Sequence, residues 1–171
     1  MADNYLENRM EEYRSGRLAS RSRTTSTMRA PRRADTLTLH YAPMTVVILA
    51  DSLTPVVAET VCAFTAVGCR VAFTASDAKE GNAVAQRAGA RYYPATFTPE
   101  VILSDFSAHC GRLTEVIVTF LASPLPFALD VDTRLIDAPR HLPQDTSNSD
   151  FSHFARHILY LAHPDNAFLL G

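Results

Sequence analysis

Glycine is scarce in this chain and missing from the one turn where its absence has chemical consequences. Of six glycines in 171 residues, none lies between Gly16 and Gly68. Cysteine is scarce too. Cys62, Cys69 and Cys110 make an odd set with no Cys-x-x-Cys pair, which argues against both a disulfide framework and a zinc knuckle and makes a reducing cytoplasm the expected compartment. No stretch approaches the ~18 uninterrupted apolar residues of a membrane span, and the N-terminus is polar and acidic where a secretion signal would be basic and then apolar. A soluble, cytoplasmic protein without membrane association is expected. At 47% hydrophobic and 20% charged residues the chain is large enough for one core and too short for two ordinary ones.

Charge is unevenly spread although the total is only -2. Arg14, Arg17, Arg21, Arg23, Arg29, Arg32 and Arg33 fall in a Ser/Thr-rich segment that contains no Asp or Glu and has too little apolar content for a core of its own. Ahead of it, Tyr5, Leu6, Arg9, Met10 and Tyr13 recur at helical spacing, with Asp3 or Asn4 available as N-cap. This predicts a short amphipathic arm helix. Because an isolated helix of about ten residues is marginal in water, its apolar stripe requires a partner, either its own subunit or a neighbouring copy. Clustered guanidinium groups also permit nucleic-acid binding, but no aromatic stacking residue lies between Arg14 and Arg33 and no helix-turn-helix, zinc-finger or RNA-recognition signature is near, so a solvated linker is the preferred reading. Residues 1–40 thus read as arm and linker, and 41–171 as one domain.

The domain has β-α-β-α-β rhythm. Thr45 to Ala50 is a continuous apolar run, the pattern of a parallel strand covered on both faces. Thr54 and Pro55 make a helix entrance, a hydroxyl to cap a free N–H and a proline where no donor is needed. Val57, Val61, Phe64 and Thr65 form its predicted buried stripe, and Gly68 its left-handed stop. Arg70 to Thr74 is the next strand, Asp77 to Arg87 a helix ended by Gly89, and Arg91 to Ala95 the third strand. Thr98, Pro99 and Glu100 open another helix with Val101, Leu103, Phe106 and Cys110 apolar, Gly111 closes it, and Glu115 to Ala122 is a fourth strand. Ser123 to Asp150, rich in proline and aspartate, reads as an irregular crossover with one short strand around Phe127 to Val131. A final helix spans Asp150 to Ala162. The predicted fold is a three-layer, Rossmann-like α/β domain with a parallel sheet of four to five strands.

The run VAFTASDAKEGNAVAQRAGARYYPATFTPE resembles the second strand to fourth helix of short-chain dehydrogenases/reductases, and ARHILYLAHPDNAFLLG resembles the late helix and C-terminal ending of that family. The resemblance implies a Rossmann fold, frequent oligomerisation, and NAD or NADP as cofactor. The chain departs from the pattern wherever the family does chemistry. The T-G-x-x-x-G-x-G motif falls on Ala50, Asp51, Pro55 and Val57, so no phosphate-approaching glycine is present. The acidic residue near the end of the second strand falls on Ala75, with Asp77 two positions later as a partial replacement. The aspartate after the third strand falls on Thr96, and N-N-A-G becomes Thr119-Phe120-Leu121-Ala122. The catalytic Tyr-x-x-x-Lys cannot occur, because Lys79 is the single lysine and Ala75 stands four residues before it. A complete member of the family has about 250 residues, so the late strands and long helices do not fit between Ser123 and Asp150.

Other residues permit chemistry without requiring it. His153 and His157 lie one turn apart, with Asp150 nearby, which is a conceivable transition-metal set, although solvated histidines on an amphipathic helix are the commoner case. Cys69, followed by Arg70, is a conceivable thiolate, and Cys62 has no basic neighbour. Ser52 lacks the G-x-S-x-G elbow of a nucleophile. No catalytic residue and no confident cofactor contact emerges; Asp51, Ser52, Thr54, Ala75, Thr96 and Thr119 mark a vestigial crevice, and no cofactor is expected. The preferred reading is a non-catalytic relative of short-chain dehydrogenases, acting as a homo-oligomerisation, interaction or regulatory module through its arm and its exposed sheet or helix faces. The alternative is an NAD(P)-dependent oxidoreductase or a small-ligand binder using the altered crevice.

Overall fold

The computed structural model describes residues 40–125, 132–141 and 151–166. The expected arm helix, the arginine-rich linker, Asp150 and the strand expected around Phe127 to Val131 lie outside them. Five parallel strands, β1 (Thr45–Ala50), β2 (Arg70–Ala75), β3 (Arg91–Pro94), β4 (Val116–Phe120) and β5 (Arg134–Asp137), form one sheet in the order β3-β2-β1-β4-β5. Five helices accompany them among the described residues: α1 (Pro55–Ala66), α2 (Ala78–Ala88), α3 (Pro99–Cys110), α4 (Ala138–His141) and α5 (Phe151–Ala162). The strand order is that of the Rossmann fold. No helix among the described residues is long and apolar enough to cross a membrane.

The period-2 alternation of strands divides the sheet's side chains between two cores. Val46, Ile48, Val71, Phe73, Val116, Val118 and Ile136 meet Val57, Val61 and Phe64 of α1 and Phe154 and Ile158 of α5. On the opposite face Val47, Leu49, Ala72, Tyr93 and Ile117 meet Ile102 and Phe106 of α3. Every residue of β1 is buried, as its unbroken apolar run predicts.

Several expectations need correction. The fifth strand, Arg134–Asp137, falls in what the sequence marked as irregular crossover; only Leu135 and Ile136 are apolar in it, so it carries almost no hydrophobic signal of its own. In α1 Thr65 is half-buried, and Val56 and Thr60 join the buried face, the Thr60 hydroxyl donating to Val56 O at 2.7 Å. In α3 Val101 is exposed and Ile102 and Phe106, one turn apart, take the core instead. Thr98 makes no side-chain cap bond, unlike Thr54.

Two contacts hold the β3 edge. Gly81 of α2 lets the Tyr92 ring lie against the helix backbone: a Cβ there would stand 2.5 Å from Tyr92 Cε2. The ring is fixed because its hydroxyl donates to Ala75 O at 3.0 Å and it packs on Phe73. Tyr93 donates to Asp105 Oδ2 of α3 at 2.5 Å, and Arg91 pairs with the same oxygen at 3.1 Å. Burial first, and then the hydrogen bond to Asp105, push the Tyr93 phenol up to about 12.

Gly81→Ala is expected to destabilise the domain by about 1–3 kcal/mol through overpacking, although alanine is the better helix former. Urea unfolding of Gly81→Ala alone and in a Tyr92→Ala background checks this, since the substitution turns neutral or stabilising once the ring is gone. Tyr93 titrates higher folded than unfolded, so its contribution is complete below pH 10.0 and is lost as pH rises toward about 12. Tyr93→Phe should therefore flatten the alkaline loss of stability over that interval, measured by denaturant midpoints against pH.

Candidate functional site

Ligands of open α/β sheets bind beyond the carboxyl ends of the strands, where the strand order reverses. Here that point lies between β1 and β4, which run side by side from Val46↔Val116 to Ala50↔Phe120. The topology brings the β1–α1 turn, with Asp51, Ser52 and Thr54, next to the end of β2 at Ala75 and the end of β4 at Thr119. Thr96 sits exposed in the turn after β3.

Several polar groups at this point are engaged by the chain itself. Asp51 Oδ2 accepts the Ala122 N–H at 3.0 Å, a bond from the β1–α1 turn to the segment after β4. The Thr54 hydroxyl accepts the Val57 N–H at 3.3 Å, and Thr54 O accepts the Ala58 N–H at 3.1 Å. Pro55 has no N–H to give. Of the first four residues of α1, this leaves Val56, a buried residue, as the single uncommitted backbone donor among the described residues. A pyrophosphate at a helix N-terminus needs several such donors. Asp51 adds repulsion, about 1 kcal/mol per pair of like charges 4 Å apart even in bulk water.

Next to this turn, the backbone ladder between β1 and β2 ends at Ile48↔Phe73. Beyond it the buried Thr74 hydroxyl accepts from Ala50 N at 2.8 Å and donates to Ala50 O at 2.9 Å, doing the work of a peptide group. Sequence reasoning missed this residue; the signal was a hydroxyl inside an otherwise apolar strand. Ala75 presents a buried methyl, and its carbonyl accepts from both the Tyr92 hydroxyl and the Ala95 N–H. Asp77 caps α2 through Glu80 N at 2.8 Å, so its carboxylate serves the helix. Thr119 is buried and reaches Ile136 O at 3.5 Å. Ser52 is exposed, and its carbonyl accepts the Thr54 N–H.

The remaining candidates lie elsewhere. His153 and His157 are exposed on α5, and the His157 ring meets that of His141 edge-on, centroids 6.3 Å apart. Partial burial, with the charges of His141 and His153, pushes the His157 imidazole below its ordinary value. Among the described residues no group of three or more His, Cys, Asp or Glu is placed to hold a metal. Cys69 is buried, and burial raises its thiol, the reverse of what a thiolate nucleophile requires. A cleft of about 690 Å³ opens at the carboxyl ends of β4 and β5, with Thr119, Leu135 and Asp137 in its wall and Ser123, Arg140 and His141 at its polar side. The sequence reading placed most of this region in an irregular crossover and did not find it.

No family model and no curated protein matches the chain. Solved structures do match. BdcA (YjgI) from E. coli is 26% identical over 46% of this chain and 41% of that one, with a TM-score of 0.36. The TT0495 protein of Thermus thermophilus is 19% identical over 74% of this chain and 46% of that one, TM-score 0.37. A mutant Serratia marcescens short-chain dehydrogenase/reductase is 16% identical over 77% of this chain and 52% of that one, TM-score 0.39. The chain is similar to parts of these structures. It spans about half or less of their length, and TM-scores this low carry no argument about activity; the Rossmann-like fold stands on the strand order.

Asp51→Ala removes the acceptor of the Ala122 N–H and is expected to cost about 0.5–1.5 kcal/mol, whereas Asp51→Asn keeps an acceptor and should retain most of it. Hydrogen exchange at the Ala122 amide, accelerated in Asp51→Ala alone, checks the assignment.

Proposed function

We propose that this protein is a non-catalytic, short-chain dehydrogenase-like module that acts by association, with a second copy of itself as the simplest partner. The observation that supports this reading is the commitment of Asp51 and Thr54 to backbone groups at the switch point. Asp51 is bonded to Ala122, Thr54 caps α1 and Pro55 removes a donor, which leaves fewer groups for a dinucleotide's phosphates than a glycine-rich turn offers. The proton-transferring Tyr-x-x-x-Lys has no counterpart in the sequence, where Lys79 is the one lysine.

Exposed apolar side chains support association. Phe97 (49% exposed) and Val101 (52%) stand one turn apart at the start of α3, and Leu135 (41%) lies on the edge strand β5. Phe97 and Val101 are adjacent, and contiguous apolar surface is where copies of a protein meet; Leu135 lies at the opposite edge of the sheet. The predicted arm at residues 1–40 would add to such a contact, in a cytoplasmic protein with neither membrane nor nucleic acid as partner. NAD(P)-dependent oxidoreduction is the competing reading.

Calorimetric titration with NAD(H) and NADP(H), together with sedimentation over a concentration series, separates the two. No saturable heat and a sedimentation coefficient that rises with concentration are expected. Tight binding of either dinucleotide with cofactor-dependent turnover would overturn the proposal. Phe97→Asp with Val101→Asp should shift the association midpoint to higher concentration by about tenfold or more.

A further inference from the structure

His163, on the turn that leaves α5, is a buried titratable ring with both nitrogens engaged. It is 6% exposed. Nδ1 accepts the Asp165 N–H at 3.3 Å, and Nε2 faces His40 O at the same distance. A carbonyl oxygen only accepts, so Nε2 carries the hydrogen and Nδ1 the lone pair; the two contacts together select one neutral tautomer. One side chain thereby holds the backbone before β1 on one nitrogen and the turn after α5 on the other.

Proton uptake places a hydrogen on Nδ1, where it points at the Asp165 N–H. Two donors cannot share that line, so the backbone bond is lost in the charged form. A substitute stands beside it: Asp165 Oδ2 lies 3.7 Å from Nδ1 on a side chain that is 86% exposed. Nε2 keeps its hydrogen in both forms, and its bond to His40 O becomes charge-assisted. Among the described residues the groups around the ring hold their own states. Tyr41, edge-on to His163 with centroids 5.0 Å apart, is pushed up to about 12, by burial first, and keeps its hydroxyl on Leu159 O. Burial also raises Cys69, which faces Tyr41. Tyr160 offers its carbonyl to the His163 N–H and to Asn166 Nδ2, and the Arg134 guanidinium bonds Ala162 O. The exposed His40 ring is the other imidazole at this joint.

We propose that His163 is a proton-operated joint with two states. Neutral, it holds residues 164–166 through the Asp165 backbone; charged, it holds them through the Asp165 carboxylate, and its grip on His40 persists throughout. Acidification therefore resets the turn after α5 without unfastening the segment before β1. This device goes beyond the association reading and does not depend on it.

Ring-nitrogen NMR of the full chain between about pH 8 and pH 5, the interval in which histidine changes charge, tests it together with amide exchange corrected for its intrinsic pH dependence. Nδ1 is expected to pass from unprotonated to protonated while Nε2 stays protonated, and the Asp165 amide to lose protection about tenfold over the same interval. His163→Gln should abolish that loss, and His40→Ala, which keeps the carbonyl and removes the second imidazole, should preserve it. Asp165→Ala should leave the urea midpoint unchanged at about pH 8 and lower it at about pH 5, because the carboxylate contributes only opposite a charged ring. Constant Asp165 protection across the titration, a neutral ring with its hydrogen on Nδ1, loosening of the His40 and Tyr41 amides along with Asp165, or a pH response that survives in His163→Gln would each overturn the proposal. None of these results bears on the dinucleotide titration or the sedimentation series.

Discussion

A parallel sheet exposes two apolar faces, and the rest of this structure depends on how each is covered. β1 sits at the centre with all six residues buried, flanked by β2 and β4. One face is sealed by α2, α1 and α5, the last two packing side by side, and the other, among the described residues, by α3. This asymmetry sets the molecule's surface. On the face of α1, α2 and α5, Val118 and Ile136 are buried out to β5; on the face of α3, Ile117 is buried and Leu135 is exposed.

The same economy governs the carboxyl ends of the strands. In a dinucleotide-binding fold these ends stay unsatisfied so that a ligand can complete them. Here Thr54, Thr74, Asp51 and Asp77 each complete a neighbouring backbone group within hydrogen-bond distance. A preorganised site holds unmet donors in reserve, and among the first four residues of α1 Val56 N–H is the one donor left over. At this end of the sheet these four side chains serve the stability of the fold.

Most of the fold was legible because its signals are local. The unbroken run TVVILA, the Thr-Pro helix entrances and the glycines at 68, 89 and 111, all with positive φ, mark elements by backbone preference and period alone. What could not be read depends on distant partners. Arg134–Asp137 is a strand because β4 offers it an edge, and two apolar residues between charges say nothing of that. Val101 and Ile102 are neighbours of like character, and only the direction of the sheet decides which one is buried. That the β1–α1 turn carries no phosphate-approaching glycine was legible from Asp51, Pro55 and Val57, but the bond from Asp51 to Ala122 spans 71 residues and belongs to tertiary structure.

The last described helix also bears on how the chain folds. α5 packs on α1, almost a hundred residues upstream, and its C-terminal carbonyls are gripped from far along the sequence: Leu159 O by the Tyr41 hydroxyl, Ala162 O by Arg134. During synthesis the sheet face that α5 seals therefore stays bare until nearly the whole domain has left the ribosome. Closure of that core is a late, long-range event, and loop-closure entropy makes such events slow. The nascent strands must wait for their cover, and that interval is when β1 and β4 are most open to the wrong partner.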